Sequence, residues 1–394
     1  MTPTTKKFTG VGGDSIILDI TQFNILILVI IIFVSSLISL RLGLAVAIIE
    51  IILGAIFGNL GLLYATDWMT LIATFGGILL TFMAGTEIDT KVMREKYKES
   101  FLIGFFSFLT PFIGAFLYTY LIAGWILQAA LIAGIALSTT SLAVVYSVLM
   151  ETENLDSNLI KTILAATFIT DMSTALALSI IFIKPDLYTL IFIIVSILVI
   201  ILAAKYSERI FQHHKLKGKV IEPEIKFIFI LLVIFMYFAA IGNGQAVLPA
   251  FVLGLLMSKK LSQVKELMVR MRTVAYAAIT PIFFIVGGLK ISFPLIIGAL
   301  SLFIILFVIK IAAKFVGVYF FANKYIENGS TYTTLLMSTG LTFGTIASLF
   351  GFNAGYINQT QYSILIGVVI ASAVIPTFIA QKWFLPVHSE DIIE

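Results

Sequence analysis

The chain has 394 residues, of which 60% are hydrophobic and 12% charged, and its mean hydropathy is +1.09. This composition excludes a soluble globular protein. The net charge of +4 comes from loop residues, so it does not indicate nucleic-acid binding. The absence of cysteine excludes disulfides and thiolate chemistry.

Apolar runs of about 20 residues, the length that a helix needs to cross a bilayer, recur along the whole chain. They predict an all-α polytopic membrane protein without a signal peptide and without an attached soluble domain. The ninth run is short and begins near Pro249, so it is either a full crossing or a half-helix. We expect thirteen membrane helices, at residues 23–40, 42–60, 68–86, 100–122, 125–150, 159–183, 187–204, 227–242, 246–258, 273–289, 291–322, 331–352 and 361–384.

The loop charges predict the orientation of the chain. Lys and Arg concentrate in alternate loops, such as the one at 205–226, while the opposite set holds only Lys6, Lys7, Lys184 and Lys290. Because cytoplasmic loops carry the excess of positive charge, we expect the N-terminus outside the cell membrane and the C-terminus in the cytoplasm.

Asp171 lies in the middle of the sixth span, in a segment rich in Thr and Ser. An ionised carboxylate at that depth costs several kcal/mol, on the order of 2.5 to 3.5, unless a proton or a cation neutralises it. Asp171 is therefore a candidate site for either of these two ligands, although an Asp that only supports helix packing is the alternative.

Three other ionisable residues lie within predicted spans. Lys310 and Lys314 are four residues apart and so share one helix face, but a lysine near a helix end also extends to the interface. Glu50 has a structural role in our interpretation. Glu87 ends its helix at the cytoplasmic edge, where we expect it to face water.

Two clusters of hydroxyl residues, at 138–141 in the fifth span and 338–345 in the twelfth, indicate places where a helix is interrupted. They are seven crossings apart and therefore run in opposite directions through the membrane. This is the arrangement of an inverted repeat, although such residues also connect ordinary membrane helices.

The segments RLGLAVAIIEIILGAIFGNLGL, TFMAGTEID, ALSTTSLAVVYSVL, ATFITDMSTALAL and AKFVGVYFF occur in this order. Over residues 23–384 the chain thereby resembles the second family of monovalent cation:proton antiporters, which contains Kef- and NapA-like sodium/proton and potassium/proton exchangers. The resemblance implies two inverted-topology repeats with two helices broken at mid-membrane, and a homodimer. Within a single membrane domain it implies scaffold and dimerisation helices at 23–98 and 225–290, core transport helices at 99–183 and 291–384, and a linker helix with a basic loop at 184–224.

The resemblance also implies a site. It places the ion-binding and proton-carrying carboxylate on Asp171, the polar pair of a broken helix on Thr140 and Ser141, and a charge partner on Lys314 of the K-x-x-G pattern. Thr170 stands where relatives have Asp, Asn or Gln, which favours one cation for one proton unless Lys314 releases a proton of its own. Weaker candidates are Thr139, Lys310, Thr339 and Glu50.

Together these features predict a secondary antiporter that exchanges Na⁺ or K⁺, and possibly Li⁺, for protons, with no cofactor and no metal other than the transported cation at Asp171. A gated cation channel or a cation-responsive sensor is the alternative. An enzyme is disfavoured because Asp171 is the only embedded Asp and because His213, His214 and His388 lie in cytoplasmic segments. Ion preference, stoichiometry, direction and regulation by a separate subunit stay open.

Overall fold

The structure is a computed structural model of the chain, and it describes residues 5–9, 15–87, 96–152, 155–182, 186–212, 222–242, 246–262, 265–326 and 328–386. The three histidines, His213, His214 and His388, lie outside the described residues, as do residues 213–221 of the basic loop at 205–226 and the charges of residues 88–95.

An antiparallel hairpin precedes the membrane helices and is formed by β1 (Thr5–Thr9) and β2 (Ser15–Asp19). The first half of the chain continues as α1 (Ile20–Leu42), α2 (Val46–Asn59), α3 (Asp67–Thr86), α4 (Tyr97–Leu117), α5 (Leu127–Ser138), α6 (Leu142–Glu151), α7 (Ser157–Ile181) and α8 (Leu187–Gln212).

The second half contains α9 (Pro223–Ile241), α10 (Val247–Ser262), α11 (Lys265–Val274), α12 (Thr280–Leu289), α13 (Phe293–Gly298), α14 (Leu300–Lys314), α15 (Phe320–Tyr325), α16 (Ser330–Met337), α17 (Thr342–Asn353) and α18 (Gln359–Trp383). Single π-helical turns extend α4, join α11 to α12 and join α14 to α15, at Tyr118–Ile122, Ala275–Ile279 and Phe315–Tyr319.

The predicted helical membrane fold is confirmed. Ten stretches of described helix are long and apolar enough to cross a membrane, and each of the thirteen predicted spans overlaps a helix or a pair of half-helices. The ninth span is a continuous helix that passes through Pro249, because the proline lies in its first turn, where no backbone N–H is needed.

The two halves of the chain have matching elements in the same order. Each half contains one interrupted helix, α5–α6 in the first and α16–α17 in the second. Each then continues into a helix of 25 residues that begins with a side-chain cap, Asp156 for α7 and Asn358 for α18. The first turn of α18 is a full capping box between Asn358 and Gln361.

Helices of the two halves cross at reciprocal glycines. Gly54 of α2 lies against the carbonyl of Ile285 in α12, and Gly288 of α12 lies against the carbonyl of Ile51 in α2. The pair α3 and α10 repeats this arrangement: Gly85 faces the Phe251 carbonyl, and Gly254 faces the Phe82 carbonyl. Because association inside lipid depends on close packing, these crossings hold α2 to α12 and α3 to α10.

The interior is polar at its centre and apolar around it. The pair α16–α17 is the most buried membrane stretch, whereas α1 and α8 expose most of their apolar surface. That surface is compatible with lipid. Buried hydroxyls occur on many helices, and the two interrupted helices contain a dense group of them, at residues 138–141 and at 338 and 339.

Gly254→Ala and Gly288→Ala should each destabilise the protein by about 1–3 kcal/mol, because the added methyl group overlaps a carbonyl oxygen of the facing helix. Thermal unfolding in detergent measures the effect as a lower Tm. Gly298→Ala is the matched control, since no atom lies within 4 Å of the added carbon. An equal Tm for all three variants would contradict the packing role.

Candidate functional site

The two predicted breaks are confirmed, at residues 139–141 and 338–341. At each of them hydroxyls bond to the last carbonyls of the helix that is ending. Ser138 donates to Ile135 and Thr139 to Ala136 at the end of α5, and Ser338 and Thr339 make the same kind of bond, to Thr334 and Leu336, at the end of α16. At both interruptions, therefore, side-chain hydroxyls compete with backbone N–H groups for the helix carbonyls. Neither interruption contains a proline.

The two breaks meet and bond to each other. The Thr140 hydroxyl donates to the carbonyl of Met337 at 2.8 Å, and the Ser141 backbone N–H donates to the Thr339 hydroxyl at 3.3 Å. Each break thus supplies a hydroxyl that bonds to a backbone group of the other break. The two breaks therefore form one hydrogen-bonded crossing.

Lys314 is fully buried beside this crossing. Its ammonium donates to the Ser107 hydroxyl at 2.8 Å, the Ser138 carbonyl at 2.9 Å and the Thr140 hydroxyl at 3.1 Å. An ammonium has three N–H donors, so these bonds satisfy it completely, and its charge faces the negative end of α5.

The predicted direct pairing of Lys314 with Asp171 is not present in this conformation. The two residues lie close enough for their charges to interact, but they form no ion pair. The reason is local: Ser107 of α4, Ser138 at the end of α5 and Thr140 of the first break supply the three acceptors that the ammonium needs.

Lys310 is also fully buried, so the alternative that it extends to the membrane interface is wrong. Its amine has no hydrogen-bond partner. A methyl group on Gly340 would collide with this amine and with Thr139, so the bare glycine backbone of the second break makes the space for Lys310. The sequence had identified Lys310 only as a weak candidate. Because Lys310 and Lys314 lie one helical turn apart in α14, both side chains reach the crossing of the two breaks.

Asp171 is 2% exposed, and one of its carboxylate oxygens, Oδ1, has no hydrogen-bond partner. It lines a small, partly open cavity of about 30 Å³. The first residues of α6 and α17 line the same cavity, so two helix N-termini, which favour negative charge, face the space beside the carboxylate. The lining residues are Leu80, Met83, Ala84, Glu87, Leu142, Asp171, Tyr276, Thr342 and Phe343.

The other predicted residues divide into two groups. Ser141 has a buried hydroxyl without a partner, so its oxygen is free to bind a ligand. In contrast, the Thr170 hydroxyl donates to the Gly104 carbonyl at 2.9 Å and joins α7 to α4. Glu50 is buried in α2, and it is not among the residues that line the cavity of Asp171.

The sequence did not indicate that Glu87 and Tyr276 line the same cavity as Asp171. Glu87 is half-buried there, and it accepts a hydrogen bond from Arg272 at 2.8 Å instead of simply facing water. Burial raises the pKa of the Glu87 carboxyl, and the Arg272 guanidinium opposes that shift. Tyr276 follows Arg272 by one helical turn, which is the sequence signal that could have identified it. Ser107, another missed residue, lies between Phe106 and Phe108 in a Phe-rich span.

Residues 26–384 match the family described as "Sodium/hydrogen exchanger, transmembrane". The chain belongs to the sodium/hydrogen exchanger family. It is 27% identical over 355 residues to the "Probable Na(+)/H(+) antiporter 3" of Methanocaldococcus jannaschii, which covers 85% of this chain and 89% of that protein. It is 24% identical over 349 residues to the "Na(+)/H(+)-K(+) antiporter GerN" of Bacillus cereus, which covers 86% and 89%.

The fold also matches a solved exchanger. The sodium proton antiporter MjNhaP1 from Methanocaldococcus jannaschii, determined at pH 8, superposes with a TM-score of 0.67 and 15% identity, covering 92% of this chain and 99% of that one. The similarity places the chain in an antiporter fold and in a family of transporters rather than enzymes.

The narrower expectation of the second cation:proton antiporter family is partly wrong, because the match is of the first-family type. The short motifs around Asp171 indicate the broken-helix architecture, but they do not distinguish the first family from the second.

Gly340→Ala should reduce ion exchange on the order of tenfold or more, because the new methyl group displaces the Lys310 amine or the Thr139 segment at the crossing. Proteoliposome flux compared with Gly298→Ala, at equal amounts of folded protein, provides the test. Unchanged flux in Gly340→Ala would mean that the close approach at the crossing has no part in function.

Proposed function

We propose that this protein is a secondary antiporter of the cell membrane that exchanges a monovalent cation for protons by alternating access. Na⁺ is the first candidate cation because the relatives are named as Na⁺/H⁺ antiporters, and K⁺ is the second because GerN is named for both. Proton and cation compete for Asp171.

One observation carries this proposal: a buried carboxylate oxygen without a partner faces a cavity in the middle of a membrane fold. A carboxylate fully bonded to donors would have a structural role. A carboxylate with a free oxygen needs a neutralising ligand, and a proton or a small hard cation serves equally well.

The free hydroxyl of Ser141 adds a second oxygen ligand, since the next residue, Leu142, lines the cavity with Asp171. Carbonyls of the open backbone at residues 139–141 are the remaining candidates. Thr140 and Thr170 contribute indirectly, because their hydroxyls hold the crossing and the α4–α7 contact.

The walls of the cavity support alternating access. One wall consists of α3 and the α11–α12 helix, which belong to the proposed scaffold, and the other consists of α6, α7 and α17, which belong to the proposed core. A core that slides along the scaffold would carry Asp171 from one side of the membrane to the other. The proposed orientation, with the N-terminus outside and the C-terminus inside, makes the Glu87 end cytoplasmic. The exposed face of α1 and the scaffold helices is the proposed homodimer surface.

A gated channel is the second candidate function. It requires a continuous wet path lined by charges or carbonyls, whereas the cavity at Asp171 is small and five of its nine lining residues are apolar. Flux that persists after the proton gradient is collapsed, with linear dependence on the cation gradient, would favour the channel. Flux that needs the opposing gradient favours exchange.

Asp171→Asn should abolish exchange, because an amide neither releases a proton nor neutralises a cation. The measurement is Na⁺-dependent pH change inside proteoliposomes with a fluorescent pH dye, repeated with K⁺ and Li⁺. Asp67→Asn is the matched control, since Asp67 is exposed in the first turn of α3. Undiminished exchange in Asp171→Asn would refute the assignment of the site.

Competition for one carboxylate also predicts the pH dependence. Below the pH at which protons begin to occupy Asp171, each further unit of acidification should raise the apparent KM for Na⁺ by up to about tenfold, with little change in the maximal rate. Initial rates at several Na⁺ concentrations and fixed pH values measure this dependence. A KM that does not change with pH, together with a falling maximal rate, would indicate separate sites.

A further inference from the structure

The hydrogen bonds between the scaffold helices and the core helices are distributed unevenly. Among the described residues, side chains make such bonds only at the end of the bundle opposite Glu87, where α2 and α12 end and α18 begins. At the Glu87 end the same two groups of helices are separated by the cavity of Asp171.

We call the end of the bundle opposite Glu87 the closed end. Its central contact is made by Tyr362. The side chain is fully buried in α18, and its hydroxyl donates to the Gly287 carbonyl of α12 at 2.7 Å. Thr345 of α17 lies beside the same glycine, which lacks a side chain that would separate the two groups.

Two further side chains complete the closed end. Lys290, just after α12, donates to the Asn353 side chain at 2.6 Å, and its ammonium lies 5.4 Å from the ring centre of Phe352 at the end of α17. Asn59, the last residue of α2, bonds to the Ile291 carbonyl and to the Phe293 N–H in the segment that leads from scaffold to core. Among the described residues Lys290 makes no ion pair.

We propose that Tyr362, with Lys290 and Asn353, determines the side from which the cation reaches Asp171, by fastening core to scaffold at the outer end. This inference rests on the proposed function. Sliding of the core must break the Tyr362–Gly287 and Lys290–Asn353 contacts before the outer side opens, so these residues set the balance between the two access states.

The sequence permits a direct measurement of access, because it contains no cysteine. Two single reporters are introduced separately, Ala84→Cys in the cavity and Thr345→Cys beside Gly287. Their reaction with a membrane-impermeant maleimide, applied from each side of the membrane, reports which end is open.

Tyr362→Phe removes one hydroxyl and keeps the ring. It should increase the reactivity of the Thr345→Cys reporter from the outer side by about fivefold, the ratio that corresponds to one net hydrogen bond of ~1 kcal/mol. The Ala84→Cys reporter should become less reactive from the inner side. In transport, the apparent KM for the cation should rise on the inner side and fall on the outer side.

Tyr332→Phe is the matched control. Tyr332 is also fully buried, but its hydroxyl faces Thr152 within the core, so the same deletion should leave both reporters unchanged. Asn353→Ala releases Lys290 at an exposed position and should shift both reporters in the direction of Tyr362→Phe, so the test stands even if the Tyr362 variant folds poorly.

The outcomes separate the inference from the function on which it rests. If the wild-type chain exchanges ions while neither Tyr362→Phe nor Asn353→Ala changes the reporters, the inference is wrong and the proposed exchange stands. If the wild-type chain shows no exchange, the proposed function fails, whatever the reporters do.

Discussion

The fold depends on one electrostatic constraint: a carboxylate and two amines lie deep inside a membrane protein, where uncompensated charge is expensive. Lys314 meets the constraint with three acceptors, one of them a carbonyl at the end of a half-helix. Asp171 does not meet it with protein atoms alone, since one oxygen stays unbonded. The charge of Lys314 is therefore bonded within the protein, whereas Asp171 keeps one oxygen that is available for a ligand.

The crossing of the two broken helices brings these polar groups together. Hydroxyls end the helices, the two breaks bond to each other, and the free ends of four half-helices meet in one place. Such an arrangement is stable only if every opened backbone group finds a partner. The hydroxyls of Thr139, Thr140 and Thr339 are therefore engaged in hydrogen bonds at the crossing. In contrast, the Ser141 hydroxyl and the Asp171 Oδ1 have no partner.

The two ends of the molecule differ in how the proposed scaffold and the proposed core meet. Reciprocal glycines hold α2 to α12 and α3 to α10 by close backbone contact, and all four helices belong to the proposed scaffold. Between the proposed scaffold and the proposed core, polar contacts lie at one end and a cavity lies at the other. In the proposed sliding mechanism few such contacts are an advantage, because each bond that must break adds to the barrier between the two states.

The sequence by itself determined the helical membrane class, the positions of the spans, the two breaks and the central place of Asp171. These follow from local properties, since the apolar length of a helix and the depth of a charge can be read along the chain. Only the tertiary structure decided which polar groups are engaged: that Lys314 bonds to Ser107 in another helix, that Lys310 lies against Gly340, and that Tyr362 faces Gly287. Each of these contacts joins residues far apart in sequence, and the hydrogen-bonding state of a side chain depends on such neighbours rather than on its position in its own helix.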